Sequence, residues 1–242
     1  MKIELLYPEV CNLYGDLMNV EYLKRSLAES KVTDIDIIET SLKTKPYFAE
    51  HDDTSLIYIG TMTERSQELV LKALSPYKER IEELIDKGQL FLVTGNALEL
   101  FGEYIQCDDG SKIDCLGIFK THAVRKMLER YNSLYVGTFG GDMNIVGFKS
   151  QFTHSYGEFE GLFETVRGDG LSPETKSEGI RKNNFLATYI IGPLLVLNPP
   201  FTKHLMKLMG VSEPVAAYED AAMDVYEHRY EEFMQPTRGL TY

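Results

Sequence analysis

Two short stretches carry residue types and spacings suited to catalysis or ligand binding. The first is Thr94-Gly95-Asn96-Ala97, where an apolar run gives way to a helical pattern within two residues. A strand-to-helix turn this sharp exposes the residue at its tip and aims backbone N–H groups at an anion or oxyanion. Acyl transfer there needs Cys or Ser at the tip. Here the tip is Gly95, a residue that also serves simply to permit a strained turn. The second stretch is Cys11-Asn12-Leu13-Tyr14-Gly15-Asp16, a polar loop after the first apolar run. Ligands of parallel sheets bind beyond the carboxyl ends of the strands, and both stretches belong at that edge.

The remaining reactive groups are scattered. Cys11 lies on the correct side of such a sheet but not on an elbow, and it reads as a small buried hydrophobe. Cys107 and Cys115 flank a turn signal and read as packing residues. His51-Asp52-Asp53 has metal-ligand chemistry, yet a polar loop accounts for it; His154, His204 and His228 lack metal-ligand spacing. No metal and no cofactor is expected. Three cysteines, an odd count without a Cys-x-x-Cys pair, fit a reducing cytoplasm.

The elements that would position these residues are read from periodicity. Lys2 to Tyr7 reads as a strand rather than a signal peptide, because Glu4 interrupts its apolar run and no small-residue cleavage site comes after it. Leu17 to Ser30 has Val20, Leu23 and Leu27 on one helical face. Asp34 to Glu39 and Ser55 to Gly60 are further strands. Glu64 to Lys87 is helical, broken near Pro76 and stopped at Gly88. Leu90 to Thr94 is an apolar strand, and Ala97 to Phe101 a short helix. Repeated β-α units with apolar strands predict a flavodoxin-like α/β sandwich, a mostly parallel sheet with helices on both faces. Farther on, Asp108-Asp109-Gly110-Ser111 predicts a hairpin. Leu134 to Phe139 and Met143 to Phe148 flank Gly140-Gly141-Asp142 as an antiparallel pair, and Phe185 to Ile191 is another apolar strand. An antiparallel extension is therefore expected from about Cys107 to Ile191. Val215 to Met234 predicts a last helix whose acidic residues, from Glu219 to Glu232, form a solvated face. Without a repeat, a linker or a composition break, residues 1–242 are expected to form a single domain.

Composition narrows the partners. Lys and Arg number 25 against 37 Asp and Glu, a net charge of −12. Such a chain is a poor match for nucleic acid or anionic lipid. No run approaches the roughly 18 apolar residues that span a membrane. At 242 residues, folding buries nearly three-quarters of the unfolded surface, so a core forms without disulfide or metal.

Taken in order, several short matches resemble class I, triad-type glutamine amidotransferase domains of the cobyric acid synthase group. Within that family the resemblance is strongest to the glutaminase subunits of lipid II isoglutaminyl synthases. Asn12-Leu13-Tyr14-Gly15-Asp16, with Asn19 and Leu23-Lys24-Arg25, resembles their "NLYGD…N…LKRR". Gly60 with Arg65, Gln67 and Glu68 is similar to "GGGQDREQ", and Leu100-Phe101-Gly102 to "LLG". Gly147-Phe148 resembles the start of "GFENHGG". Glu178-Gly179, Thr188-Tyr189, Gly192-Pro193-Leu194-Leu195 and Asn198-Pro199 resemble "EG…TYLHGPLL…NP".

The departures fall on catalytic positions. Aligning the family's "CGGYQLLG" on Gly102 puts Gly95 where the nucleophilic Cys belongs, and Ile191 falls where the family has its catalytic His. The family's "NHGG" is lost as well, since Lys149-Ser150-Gln151-Phe152 stands after Phe148. The resemblance thus implies the family fold with its hydrolytic site erased. By the same resemblance the partner would be a Mur-ligase-like synthetase, and Arg130 falls near a basic residue used for glutamine binding. Ligand-binding candidates are Asn12, Tyr14, Gly15, Asp16, Gly60, Gly95, Asn96 and Arg130. Three functions stay open: a non-hydrolysing subunit that supports such a synthetase, an active amidotransferase using Cys11 or Thr94 as nucleophile, and a module binding glutamine or a related small molecule between the Tyr14 and Asn96 loops.

Overall fold

Short, fully apolar runs become the centre of a parallel sheet because both of their faces are covered. In the computed structural model, which describes residues 1–236, the parallel strands are β1 (Lys2–Leu6), β2 (Asp36–Thr40), β3 (Leu56–Ile59) and β4 (Phe91–Thr94); β3 and β4 are buried along their whole length, whereas β2 is a half-exposed edge strand. Between them lie α1 (Met18–Glu29), α2 (Glu64–Leu74) and α3 (Lys78–Asp86). Pro76 sits in a 3-10 turn, Ser75–Tyr77, that separates α2 from α3, because its ring cannot continue an α-helix. Thr63 opens α2 by accepting the Ser66 N–H.

The chain then leaves this sheet for β5 (Tyr104–Gln106), β6 (Lys112–Asp114), β7 (Thr121–Arg125), β8 (Tyr131–Phe139), β9 (Met143–Gln151), β10 (Thr153–Gly157), β11 (Phe163–Arg167) and β12 (Ser177–Glu178). It returns as β13 (Ile180–Lys182) and β14 (Phe185–Thr188), then continues through α4 (Leu194–Leu197), α5 (Pro199–Leu208) and α6 (Glu219–Met234). The main sheet runs β13-β14-β4-β3-β1-β2. All its neighbours are parallel except β13, which pairs antiparallel with β14.

The extension differs from expectation in three ways. It begins at Tyr104, it forms two four-stranded sheets (β10-β7-β5-β6 and β12-β11-β8-β9), and one of its pairs, β5 with β7, is parallel. At its far end β14 joins the main sheet beside β4, while Ile191, three residues past β14, bridges antiparallel to Phe148 of β9 and so closes the extension where it was expected to end. Turn signals mark where strands end. They do not say which sheet a strand enters. The last helix begins at Glu219 rather than Val215, because Tyr218 takes a left-handed φ of 55° that breaks the helical path.

One face of the main sheet packs Leu6, Ile57, Ile59, Phe91 and Val93 against α2 and α3. The other packs Ile3, Leu5, Leu56, Tyr58 and Leu92 against α1, α4, α5 and the β8–β9 hairpin. α6 seals Tyr226 and Phe233 onto Leu134, Val136 and Val146 of that hairpin. Among the described residues no helix is long and apolar enough to cross a membrane.

Candidate functional site

Parallel strands deliver their exit loops to one edge of the sheet, and here a single carboxylate ties three of those loops together. Asp16, in the loop after β1, accepts from the Thr61 amide at 2.7 Å and the Thr61 hydroxyl at 2.8 Å, beyond β3. It also accepts from the Thr94 hydroxyl at the end of β4, at 2.5 Å, and from Asn19 Nδ2 at 2.8 Å. The Asn19 side-chain Oδ1 accepts the Leu195 N–H at 2.8 Å, which adds the segment after β14. A buried carboxylate with four donors is satisfied without a cation.

These loops border a cavity of about 270 Å³. Tyr14, Thr61, Gly95, Asn96 and Glu99 line it from the sheet edge; Arg130, Gln151, Tyr189 and Ile191 line it from the β8–β9 side and the end of β14. The structure therefore brings Tyr14, Gly95, Asn96 and Arg130 together with Ile191. Asn12, Gly15, Asp16 and Gly60 are not among the lining residues. Asn12 accepts the Leu17 N–H at the start of α1 at 3.0 Å, Asp16 is the loop tie, and a Cβ on Gly60 would meet the Cys11 carbonyl oxygen at 2.6 Å. Gly15 has a φ of 73° and open space around it.

Gly95 takes a φ of 61° at the start of a 3-10 helix, Gly95–Phe101. A Cβ added there would stand 2.8 Å from Thr61 Cγ2 and 2.9 Å from Thr61 Cβ, and nearer still to its Oγ1. The space for a side chain at position 95 is thus held by Thr61, which Asp16 anchors. Gly95→Cys is accordingly expected to destabilise the fold by about 2–5 kcal/mol, from overpacking and a positive φ at a residue with a Cβ. Adding Thr61→Gly should recover part of that loss. Thermal denaturation of the two single variants and the double variant checks this, and strictly additive effects would count against the contact.

Around Gly95 the polar groups face one another in pairs. Asn96 locks its amide to the Met62 backbone, accepting at 3.0 Å and donating at 2.8 Å. Glu99, the one acid in an apolar helical run, is buried beside Arg125 at 3.4 Å and accepts from Gln67 at 3.0 Å and the Tyr189 hydroxyl at 3.2 Å. Burial pushes its carboxyl above the usual range, and Arg125 acts against that shift. Gln151 is 6% exposed; its Nε2 donates to the Thr153 carbonyl at 2.6 Å, while its Oε1 has no partner. Arg130 stacks over Phe152 at 4.6 Å. Behind the cavity Lys149 is fully buried and paired with Glu178. Burial lowers the Lys149 ammonium, and Glu178 opposes that effect. The other Glu178 oxygen accepts from Thr188 at 2.9 Å and the Tyr189 N–H at 2.8 Å.

Thr61, Glu99, Gln151 and the Lys149–Glu178 pair are absent from the sequence-based site. A lone acid or lysine inside an apolar segment is the signal that points to Glu99 and Lys149. Cys11 is buried, its thiol is pushed up by burial, and it does not line the cavity. Thr94 is likewise buried against Asp16. His51 stacks on Tyr47, Asp52 pairs with Arg80, and Asp53 pairs with Lys2. No group of three or more His, Cys, Asp or Glu among the described residues is arranged to hold a metal ion.

No family model matches the chain. Over 200 residues it is 30% identical to the lipid II isoglutaminyl synthase (glutamine-hydrolyzing) subunit GatD of Staphylococcus aureus, covering 81% of this chain and 79% of that relative. A solved glutamine amidotransferase shares its fold with a TM-score of 0.52 at 13% identity, over 86% of this chain and 98% of the other. A glutamine amidotransferase of Thermotoga maritima does so with a TM-score of 0.51, also at 13% identity, over 96% of this chain and 91% of that one. At such identity the two structures speak for the fold alone. The extent of the match to the staphylococcal subunit goes further: this chain belongs to the class I glutamine amidotransferase-like family, alongside the glutaminase subunit of lipid II isoglutaminyl synthase.

Proposed function

We propose that this chain is a glutaminase-like subunit that does not hydrolyse glutamine and instead supports a Mur-ligase-like synthetase that draws on free ammonia. The observation that carries this reading is the occupied space at Gly95. Loss of a nucleophile alone would leave a gap, whereas here Thr61 has taken the room a side chain at 95 would use. In the family loop resembled by Gly60 and Arg65, glycine stands at the position of Thr61. Side-chain volume has in effect moved from the elbow to the facing loop. Ile191, which lines the same cavity, offers a hydrocarbon where the family has an imidazole. No metal or cofactor is needed for such a role, the whole chain acts as one domain, and the cytoplasm is where a synthetase of that class would meet it.

The remaining cavity supports a second reading, a site that holds glutamine or a related small molecule without cleaving it. The unpaired Oε1 of buried Gln151 calls for a donor, and Arg130 offers a cation to a carboxylate. Tyr14, Gly95 and Asn96 would complete that site.

The test is the nitrogen source. A Mur-ligase-like synthetase from the same genome, purified with this chain, is expected to amidate its carboxylate substrate with ammonium chloride and not with glutamine. Glutamine-dependent amidation at a comparable rate would overturn the proposal.

A further inference from the structure

A second depression, of about 500 Å³, lies between α1, the end of α4 and the first turns of α6. Its walls are Met18 and Tyr22 on one side and Ala222 and Val225 on the other. Met18, Tyr218 and Val225 are 50%, 64% and 51% exposed, although all three are apolar or aromatic. The two faces of α6 have different partners. Tyr226 and Phe233 are sealed against the β8–β9 hairpin, while Ala222 and Val225 face this groove without a cover. A soluble surface does not usually keep such a contiguous patch unless something binds it.

Charge narrows the occupant. The chain carries −12, and α6 itself is rich in acids, yet two arginines, Arg25 and Arg229, border the groove. Arg25 donates to the Tyr218 hydroxyl at 2.5 Å. No ion pair joins either guanidinium to a carboxylate among the described residues. An apolar trough framed by two unneutralised guanidiniums is complementary to an apolar strip flanked by Asp or Glu, the pattern of an amphipathic acidic helix. The same segment serves both: Tyr14 lines the cavity and Met18, four residues farther along the chain, lines the groove.

We infer that this groove docks an acidic amphipathic helix of the synthetase partner, placing that partner at the edge of the cavity. The inference rests on the function proposed above and adds the surface to it. Binding is measured between the purified chain and the Mur-ligase-like synthetase from the same genome, by biolayer interferometry at two salt concentrations. Val225→Glu and the pair Arg25→Glu with Arg229→Glu are expected to weaken binding about tenfold or more, the arginine pair also flattening the salt dependence. Leu69→Glu, on the exposed side of α2, should leave affinity unchanged. All positions are at the surface, so melting temperatures near wild type confirm that each variant folds. Wild-type affinity in both groove variants would overturn the groove while leaving the partner reading intact. No binding by the wild-type chain would overturn both. Self-association abolished by Val225→Glu, with synthetase binding untouched, would assign the groove to a second copy and overturn the inference.

Discussion

Incubated with millimolar glutamine, the purified chain is expected to form glutamate about 10⁶-fold more slowly than an active glutaminase subunit assayed beside it. Amide hydrolysis of this kind needs a thiolate to attack the carbonyl carbon and an imidazole to activate it and to protonate departing ammonia. Position 95 has no side chain, and Ile191 has no proton to transfer. An oxyanion cradle on its own leaves only a residual acceleration of about 10³–10⁴ over water. The alternative nucleophiles are badly placed. The Cys11 thiol is buried with its thiolate disfavoured, and the Thr94 hydroxyl is committed to Asp16. Repeating the assay with the synthetase bound separates an absent nucleophile from a dormant one. Turnover comparable to the control, abolished by Cys11→Ala, would move the chemistry to the loop after β1. Reinstating the family residues takes three changes rather than two, since Gly95→Cys with Ile191→His still meets Thr61.

Lys149→Met is expected to cost about 3–5 kcal/mol, because it leaves the Glu178 carboxylate buried without its cation. For a chain of this length that corresponds to a melting temperature lower by roughly 10 °C or more. Lys149 Nζ also donates to the Asp169 carbonyl at 2.8 Å and the Gly170 carbonyl at 2.6 Å, so two backbone acceptors lose their donor as well. Lys149→Met combined with Glu178→Gln should recover part of the loss. The amide carries no charge and still accepts from Thr188 and the Tyr189 N–H through its oxygen. Differential scanning calorimetry of the single and double variants reads the difference. A single variant as stable as wild type would show that the pair is not what joins the β8–β9 hairpin to the end of β14.

Local pattern alone determined most of the elements here. Apolar runs of four to six residues, Pro76 and Gly88 punctuated the first hundred residues into β-α units, and that alternation implies a parallel sheet with its site at one edge. The elbow at Gly95 was legible for the same reason, since a strand ending and a helix beginning within two residues is a local event. What the family resemblance added was the meaning of Gly95 and Ile191 as positions. Tertiary structure decided the rest. Thr61 and Gly95 meet only because β3 and β4 lie side by side. Asp16 binds groups 45 and 78 residues away. Lys149 and Glu178 meet from β9 and β12, the two outer strands of one four-stranded sheet. The return of β14 to the main sheet, and the division of α6 into a sealed face and an open one, are likewise outcomes of pairing between distant segments. Periodicity reports which face of an element is apolar, but the partner that covers that face is chosen by packing over the whole chain, and no spacing within an element encodes it.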